Sequence, residues 1–216
     1  MLNDVIFNNE KSAFYDWNIV LTKAEIPLPT PKTSTVDIKG ADGVLDLTEA
    51  LTGDVQYNNR QIKLTFEMMD DTDYSTLISD ISNYLHGQRI TFNLSNDEDY
   101  YYYIGRASIS DWECVKRKGK IVIQVDCEPY KYAVIETVRT VNVINQTKTV
   151  TLSNSRKTVC PTLTVTGTIT LTINGVQYEL AVGEQQLINF RLVEGNNTIK
   201  VSGNGTLTIS YRQGAL

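Results

Sequence analysis

The alternation of apolar and polar residues predicts a chain made mostly of β-strands. Ile62 to Phe66 and Ile90 to Leu94 carry apolar residues at every second position, which is typical of a half-buried strand. The second of these is followed by the turn-rich Ser95 to Asp99 and then by the apolar Tyr100 to Ile104. This succession predicts a β-hairpin, and Ile121 to Val125 predicts a further strand of the same kind.

One segment has the period of an amphipathic helix. Within Thr72 to Gln88, apolar side chains recur at offsets that place them on one face of a 3.6-residue repeat. Thr72 or Asp73 can cap its start, and Gly87 can end it in a left-handed conformation. We expect this helix to lie on a sheet through the following residues: Tyr74, Leu77, Ile78, Ile81, Tyr84 and Leu85.

The amino-acid composition of the chain changes after about Ile135. Charged residues become rare, and short Thr- and Val-rich strands are separated by turn pairs such as Asn174-Gly175 and Glu194-Gly195. This spacing predicts a compact antiparallel β-sandwich. We therefore expect two domains, residues 1–134 and 135–216. The expected strands of the second are Thr162 to Thr166, Ile169 to Ile173, Gln177 to Leu180, Asn197 to Val201 and Leu207 to Tyr211, with turns also at Val182-Gly183 and Gly203-Asn204-Gly205.

Three prolines interrupt the strand pattern near the start of the chain. Pro27, Pro29 and Pro31 fall at alternate positions between Ile26 and Thr33. Proline cannot donate a ladder hydrogen bond, so it is excluded from central strands. An extended connector or arm is predicted here.

Composition and charge narrow the classes of function. The chain has 216 residues, 41% of them hydrophobic, and a formal charge of -5. A net negative charge argues against a protein that binds nucleic acid through its phosphates. It is compatible with a channel wall along which nucleic acid passes without binding. No apolar run is long enough to span a bilayer, and Met1 to Trp17 is too polar for a secretory signal. We expect no membrane insertion, and a protein that begins in a cytoplasm-like compartment.

The three cysteines do not form a recognisable framework. Cys114, Cys127 and Cys160 include no closely spaced pair of the kind that binds zinc. A hairpin turning at Lys118-Gly119 would place Cys114 roughly opposite Ile123, which leaves Cys127 too far along its strand for a disulfide. Three free, buried or half-buried thiols are expected.

Catalytic constellations are sparse. His86 is the single histidine and lies at the end of the predicted helix, so any two-histidine mechanism is excluded. Paired carboxylates could serve glycoside hydrolysis or bind a hard cation. Their positions at a helix start and in a hairpin turn favour capping and solvated turns instead. We predict no catalytic residue, metal site or cofactor; the acidic clusters are Asp70, Asp71 and Asp73, then Asp97, Glu98 and Asp99.

The segment Tyr100 to Tyr103 is the most unusual local feature. Four consecutive aromatics place two rings on each face of a strand. Three interpretations remain open: core packing, a subunit interface, and a stacking platform for a ligand. The neighbouring acidic residues would repel a phosphate-bearing ligand.

Two motifs carry a resemblance to a known family. Gly40-Ala41-Asp42-Gly43-Val44-Leu45-Asp46-Leu47-Thr48 and the later Tyr57-Asn58-Asn59-Arg60-Gln61-Ile62 resemble the amino-terminal belt domain of the phage distal tail protein family. The predicted helix, hairpin and final strand follow in the order that this family has. The second half is similar to the family's galectin-like carboxy-terminal sandwich through Pro161, Asn174-Gly175, Glu194-Gly195-Asn196-Asn197 and Ile209-Ser210-Tyr211-Arg212-Gln213-Gly214.

The resemblance implies a fold and a structural role. The fold is mainly β with one amphipathic helix: an N-terminal β-sandwich or belt domain, then a C-terminal antiparallel β-sandwich of galectin-like jelly-roll type. The implied role, which is not enzymatic, is that of a homohexameric ring at the virion tail tip, assembled in the host cytoplasm. The ring would join the tail tube protein to tail-associated, baseplate or receptor-binding proteins and pass DNA through its lumen without specific binding. Candidate ring-interface residues are Gly40, Asp42, Gly43, Asp46, Thr48, Arg60, Tyr101 and Tyr103.

A second hypothesis makes the C-terminal sandwich a carbohydrate-binding module for host cell-wall sugars. Sugar sites usually stack a pyranose ring on an exposed aromatic side chain. From Thr137 onward the aromatics are Tyr178, Phe190 and Tyr211, each in or beside an apolar strand pattern. This pattern favours a docking or spacing role over sugar binding.

Overall fold

The computed structural model describes residues 4–68, 73–95, 100–115 and 118–216. The chain divides into two compact units. The first extends to Lys131 and includes Leu216, and the second is Tyr132–Ala215. The predicted boundary between 134 and 135 lies close to this division; the two domains remain a prediction.

The first unit is an antiparallel sheet with helices on one face. The strand order is β2-β1-β7-β8-β9-β6-β3, and β4 and β5 pair only with each other. Its elements are β1 Val5–Phe7, β2 Lys11–Ser12, α1 Ala13–Trp17, β3 Ile19–Glu25, β4 Thr35–Asp37, β5 Val44–Asp46, β6 Arg60–Met68, α2 Tyr74–Leu85, β7 Arg89–Leu94, β8 Tyr101–Val115 and β9 Lys118–Cys127.

Alternation along the central strands builds the core of the first unit. Ile62 and Leu64 of β6 lie opposite Val125 and Ile123 of β9, and all four are fully buried. Since side chains alternate across a strand, these residues share one face of the sheet. Helix α2 covers that face with Leu77, Ile81 and Leu85.

Local chemistry defines the ends of α2 as predicted. The Asp73 carboxylate accepts a hydrogen bond from the Ser75 N–H and thereby caps the first turn. Gly87 follows the helix with φ +77°, the left-handed conformation that glycine tolerates best. Thr72 lies outside the described residues. The sequence missed α1, because five residues are too few to show helical periodicity.

The hairpin of β8 and β9 turns at a different place from the predicted one. The predicted turn at Lys118-Gly119 is wrong, because both residues lie in β9, opposite Val115 and Cys114. Ile123 is opposite Ile109 rather than Cys114, and Cys127 is opposite Gly105. Cys127 is a free buried thiol and Cys160 a free half-buried one, as predicted, while the Cys114 side chain lies outside the described part of the structure.

The second unit contains longer strands than predicted. Its main sheet runs β11-β15-β12-β13, with β14 also paired to β12. The predicted strand pairs 162–166 with 169–173 and 197–201 with 207–211 are each one continuous strand. Strand β10, Lys131–Ala133, begins at the last residue of the first unit's main segment. The elements that follow are β11 Thr137–Asn154, β12 Thr162–Ile173, β13 Val176–Leu180, β14 Gly183–Gln186, β15 Gly195–Tyr211 and β16 Gly214–Ala215.

Glycines bend these long strands at one level of the sheet. Gly167 and Gly203 have φ +80° and +118°, and a β-carbon on Gly167 would lie 2.3 Å from the Asn204 carbonyl oxygen. The neighbouring β11 shifts register between Ile144 and Gln146. Apolar residues from both sides of this line, such as Leu163 and Leu171, join one buried cluster. A single bent sheet therefore supplies both layers around the core.

The fold class is confirmed. The described part of the chain is mainly antiparallel β-sheet with one longer amphipathic helix, α2, and the short α1. Neither of these helices is long and apolar enough to cross a membrane.

Candidate interaction surface

A long excursion leaves the edge of the first unit's sheet. We call residues 26–59 the arm; they connect edge strand β3 to its neighbour β6. The two ends of the arm are tied together, since Lys32 N–H donates to the Gln56 carbonyl oxygen at 2.7 Å and Asn58 N–H donates to that of Thr30 at 2.9 Å. Tyr57 also makes an edge-on ring contact with Tyr130, with centroids 5.9 Å apart. The predicted extended, proline-bearing connector forms the first part of this arm.

The tip of the arm is the two-stranded hairpin of β4 and β5. Gly40 and Gly43 have φ +89° and +76° in the connecting turn, which is where glycine is needed. The Asp46 carboxylate accepts a hydrogen bond from Thr48 N–H at 2.9 Å, and Thr48 Oγ1 accepts one from Ser34 N–H at 3.1 Å. Hydrogen bonds from the Thr48 side chain and backbone lower the pKa of Asp46 below its ordinary value of 3.8.

One face of this hairpin is apolar and uncovered. Val36 and Leu45 are directly opposite each other, so they project from the same face, and alternation along the chain adds Ile38 and Leu47. Their exposed fractions are 45%, 48%, 47% and 38% respectively, and none joins a buried cluster of described residues. An isolated two-stranded hairpin is marginally stable in water, so an exposed aliphatic face of this kind indicates an interaction surface.

The opposite face of the hairpin is mainly polar, and the arm as a whole is acidic, although Leu28 and Leu51 elsewhere in it are also exposed. Thr35, Asp37 and Asp46 lie on the polar face together with Val44. The arm contains five acidic and two basic residues, a net charge of -3 within a chain total of -5. A partner that covers the apolar face is therefore expected to be apolar and not itself acidic.

Five of the predicted interface residues come together on this hairpin. Gly40, Asp42 and Gly43 form its turn, while Asp46 and Thr48 stabilise its base. The aliphatic residues that present the surface itself were not among the predicted interface residues. The alternation of Leu45 and Leu47 with Asp46 and Thr48 does predict an apolar face. It does not show whether another part of the chain packs on that face.

The other three predicted interface residues lie at one end of the main sheet. Tyr103 is buried, stacks on Phe92 with centroids 5.1 Å apart, and lies beneath Arg60 at 5.2 Å. Tyr101 is half-buried, with the Lys131 ammonium 4.5 Å from its ring centre. Of the three interpretations of the aromatic segment, core packing therefore applies to Tyr103. Tyr100, at the start of the segment, is 68% exposed.

Arg60 is an anomaly within this group. It is only 5% exposed, and its Nε and Nη2 atoms make no hydrogen bond within the described part of the chain. Burial lowers the pKa of the Arg60 guanidinium, while Tyr103 and Cys127 act in the opposite direction. Burial likewise raises the pKa of the Cys127 thiol to about 12, so this thiol is not a nucleophile at neutral pH.

The described residues that were weighed for catalysis have structural roles. His86 Nδ1 accepts a hydrogen bond from Ile109 N–H at 3.1 Å, and Asp73 caps α2. Asp70, Asp71, Asp97, Glu98 and Asp99 lie outside the described residues. Within the described ranges, no three His, Cys, Asp or Glu side chains are grouped so as to hold a metal ion.

The second unit offers little for ring stacking by a sugar. Phe190 and Tyr211 are buried, and the Tyr211 hydroxyl donates to the Ser153 carbonyl oxygen at 2.6 Å. Tyr178 is half-buried against the core. The aromatic side chains weighed for sugar binding therefore do not form an exposed platform.

Comparison with known proteins identifies the fold. No protein-family profile and no curated protein sequence matches the chain. The crystal structure of the Dit protein of phage SPP1, described as a paradigm of the hub adsorption apparatus in phages infecting Gram-positive bacteria, matches with a TM-score of 0.68 at 12% identity, covering 98% of this chain and 99% of that one.

The activated baseplate of phage p2 contains weaker matches. The structure with Sr gives a TM-score of 0.46 and the structure with Ca one of 0.44, both at 8% identity, with 99% of this chain and 98% of each matched chain covered. The match to the SPP1 Dit protein is the one that confirms the predicted resemblance to phage distal tail proteins, as a likeness of fold.

Proposed function

We propose that this chain is a structural, non-enzymatic distal tail protein of a bacteriophage, whose copies close into a hexameric ring at the tail tip. The observation that carries the proposal is the uncovered aliphatic face of the arm hairpin, on a fold shared along its whole length with a phage hub protein. The two domains, 1–134 and 135–216, would act as ring-forming belt and galectin-like accessory domain.

The arm supplies the kind of contact that a closed ring requires. In a cyclic oligomer, each copy offers one surface to the preceding copy and a different one to the next. The arm leaves the sheet at edge strand β3, so its apolar face can reach a second copy while the rest of the first unit presents the receiving surface. Gly40 and Gly43 shape this contact, whereas Arg60 and Tyr103 support it from within the sheet.

The sheet face opposite the helices suits the wall of a lumen. In the middle of this face the cations stand beside acids: Lys63 lies opposite Glu25, which also pairs with the Lys23 ammonium at 2.7 Å. Further along, Lys120 lies opposite Glu67. Near its end, Arg106 is opposite Asp126, which balances the charge locally. DNA passing such a wall would meet cations that are balanced by neighbouring carboxylates, which disfavours tight phosphate binding.

The remaining partners follow from position in a tail. One rim of the ring would bind the tail tube protein, and the other would bind baseplate, tail-associated or receptor-binding proteins. Assembly would take place in the host cytoplasm, and the finished protein would reside in the virion.

Light scattering and electron microscopy of the purified chain test the ring. The expected particle has six times the mass of the chain and a central hole. Leu45→Lys, which places an ammonium on the apolar face, should shift the equilibrium to monomer by at least tenfold, because that charge would have to be desolvated at the contact.

Val44→Lys is the matched control, since Val44 is equally aliphatic, adjacent in sequence and on the polar face beside Asp37. The control should form rings as the parent does. Rings that survive Leu45→Lys but not Val44→Lys would show that the apolar face is not the contact. A chain that stays monomeric at every concentration, even with tail partners present, would contradict the ring itself.

A further inference from the structure

A groove on the helix side of the first unit is unrelated to the arm. It runs between α2 and β8 and has a volume of about 490 Å³, which is within the range of about 300–1,000 Å³ usual for ligand pockets. Its described lining includes no Asp, Glu, Lys or Arg side chain. The lining residues are Ser82, Asn83, His86, Ile109 and Trp112.

A β-bulge places the indole in this groove. Ile109 lies opposite Ile123, and after the register shift Trp112 lies opposite Ile121, so one extra residue separates the two pairs. Because Ile121 and Ile123 face the helices, the shift turns Trp112 to that same side. The ring of Trp112 contacts Tyr74 at 5.7 Å between centroids but remains 56% exposed.

Two polar groups of the groove, on His86 and Trp112, are hydrogen-bond donors, whereas Ser82 and Asn83 can both donate and accept. The bond from Ile109 N–H to His86 Nδ1 assigns the proton of the neutral imidazole to Nε2. Trp112 Nε1–H is a donor only. Ser82 and Asn83 are three or four residues from His86 on the helix, so they lie on its side of α2. No described residue takes a hydrogen bond from Trp112 Nε1 or His86 Nε2.

We propose that this groove binds the N-acetylated ring of a neutral amino sugar. The exposed indole offers a flat apolar surface for stacking on the carbon face of a pyranose. The Nε1–H and Nε2–H donors suit a carbonyl acceptor, which an acetamido group provides and a plain hexose lacks. Among the described lining residues no charged side chain favours an anionic or a cationic ligand. The site stands whether or not the ring of the proposed function forms.

Tryptophan fluorescence gives a direct test with the full chain. The two tryptophans are Trp112 and the buried Trp17, so a ligand-induced change reports mainly on Trp112. Titration with the trimer of N-acetylglucosamine should give a saturable change, with a dissociation constant on the order of 1 mM. Maltotriose, which lacks the acetamido groups, should bind at least fivefold more weakly.

Ligand-detected NMR extends the test to variants without the fluorophore. Trp112→Ala should abolish saturation transfer to the trimer, Trp112→Phe should retain part of it, and His86→Ala should weaken binding about fivefold through loss of one donor. Tyr15→Ala is the control, because Tyr15 is an exposed aromatic outside the groove. Circular dichroism checks that each variant is folded.

Four results would overturn the proposal. The first is no saturable signal at 20-fold above the expected dissociation constant, and the second is equal binding by Trp112→Ala. The third is protection of Trp112 from acrylamide quenching on addition of tail proteins without any response to sugar, which would assign the groove to a protein partner. Equal affinity for the trimer and maltotriose would overturn the assignment to an acetamido group.

Discussion

The arm hairpin and the bent sheet of the second unit show two outcomes for an amphipathic β-structure. In the second unit, Gly167 and Gly203 let the long strands fold over, so Leu163 and Leu171 are covered by other parts of the same sheet. The hairpin at 35–46 has only two short strands and nothing within the described chain to fold against, so Val36 and Leu45 stay exposed.

This difference separates residues that stabilise the chain from residues that need a partner. Burial of an aliphatic side chain contributes about 1.5–3 kcal/mol wherever it occurs. In the second unit that free energy is gained on folding, whereas on the arm it is available only on association. The same pattern of alternation can therefore serve stability in one place and assembly in another.

The largest expected effect comes from a matched pair of truncations. Leu163→Ala should lower the unfolding free energy of the second unit by about 2–5 kcal/mol, because Leu163 is fully buried and its loss leaves a cavity. Leu45→Ala should change that of the isolated chain by less than about 0.5 kcal/mol, because Leu45 is half exposed.

Urea denaturation at a concentration where the chain is monomeric measures both values. Sedimentation at high concentration then measures association, which Leu45→Ala should weaken and Leu163→Ala should leave intact below its unfolding midpoint. Equal losses of stability in the two variants would mean that the arm hairpin is covered within its own chain, and the contrast between the two regions would fail.

The fold was largely accessible from the sequence because its signals are local. The period of α2, its Asp73 cap and the alternation of β6, β7 and β9 are each set by neighbouring residues. The continuity of β12 and β15 was missed, since Gly167 and Gly203 have the same local signature in a turn as in a strand bend. A turn and a bend within a continuous strand differ in how the flanking residues pair with distant strands, and a local sequence pattern does not predict that pairing.

The interaction surface could be predicted only in part from the sequence, for a related reason. The turn glycines and the Asp46–Thr48 pair are readable as a hairpin, but the exposure of Val36 and Leu45 depends on what does not pack against them. Trp112 was missed because a one-residue bulge reverses which face its position occupies. Arg60 was placed among surface candidates, whereas the first position of β6 falls on the core face.

A smaller effect is expected where a polar group is buried without a full set of partners. Arg60→Met should raise the unfolding free energy of the first unit by about 1 kcal/mol, since the penalty of about 1–3 kcal/mol for unsatisfied donors outweighs the ring contact with Tyr103. Arg60→Lys, which keeps the charge but shortens its reach, should not stabilise. Thermal denaturation of the three proteins decides this. A loss of more than about 2 kcal/mol in Arg60→Met would indicate that the guanidinium has a structural partner.

The smallest effect concerns pH and the arm alone. The pKa of Asp46 is lowered by its hydrogen bonds from Thr48, so the charged form is the one that the folded hairpin favours. That contribution is present above the ordinary aspartate value of 3.8 and is lost as the pH falls through the lower value of the folded state.

The Thr48 amide resonance should therefore shift with a midpoint below 3.8, and in Asp46→Asn it should not titrate. The Asn197 amide of the second unit is the internal reference, because its side chain bonds only to backbone groups there. A midpoint at or above 3.8 would mean that the Asp46–Thr48 bond does not hold the hairpin in solution.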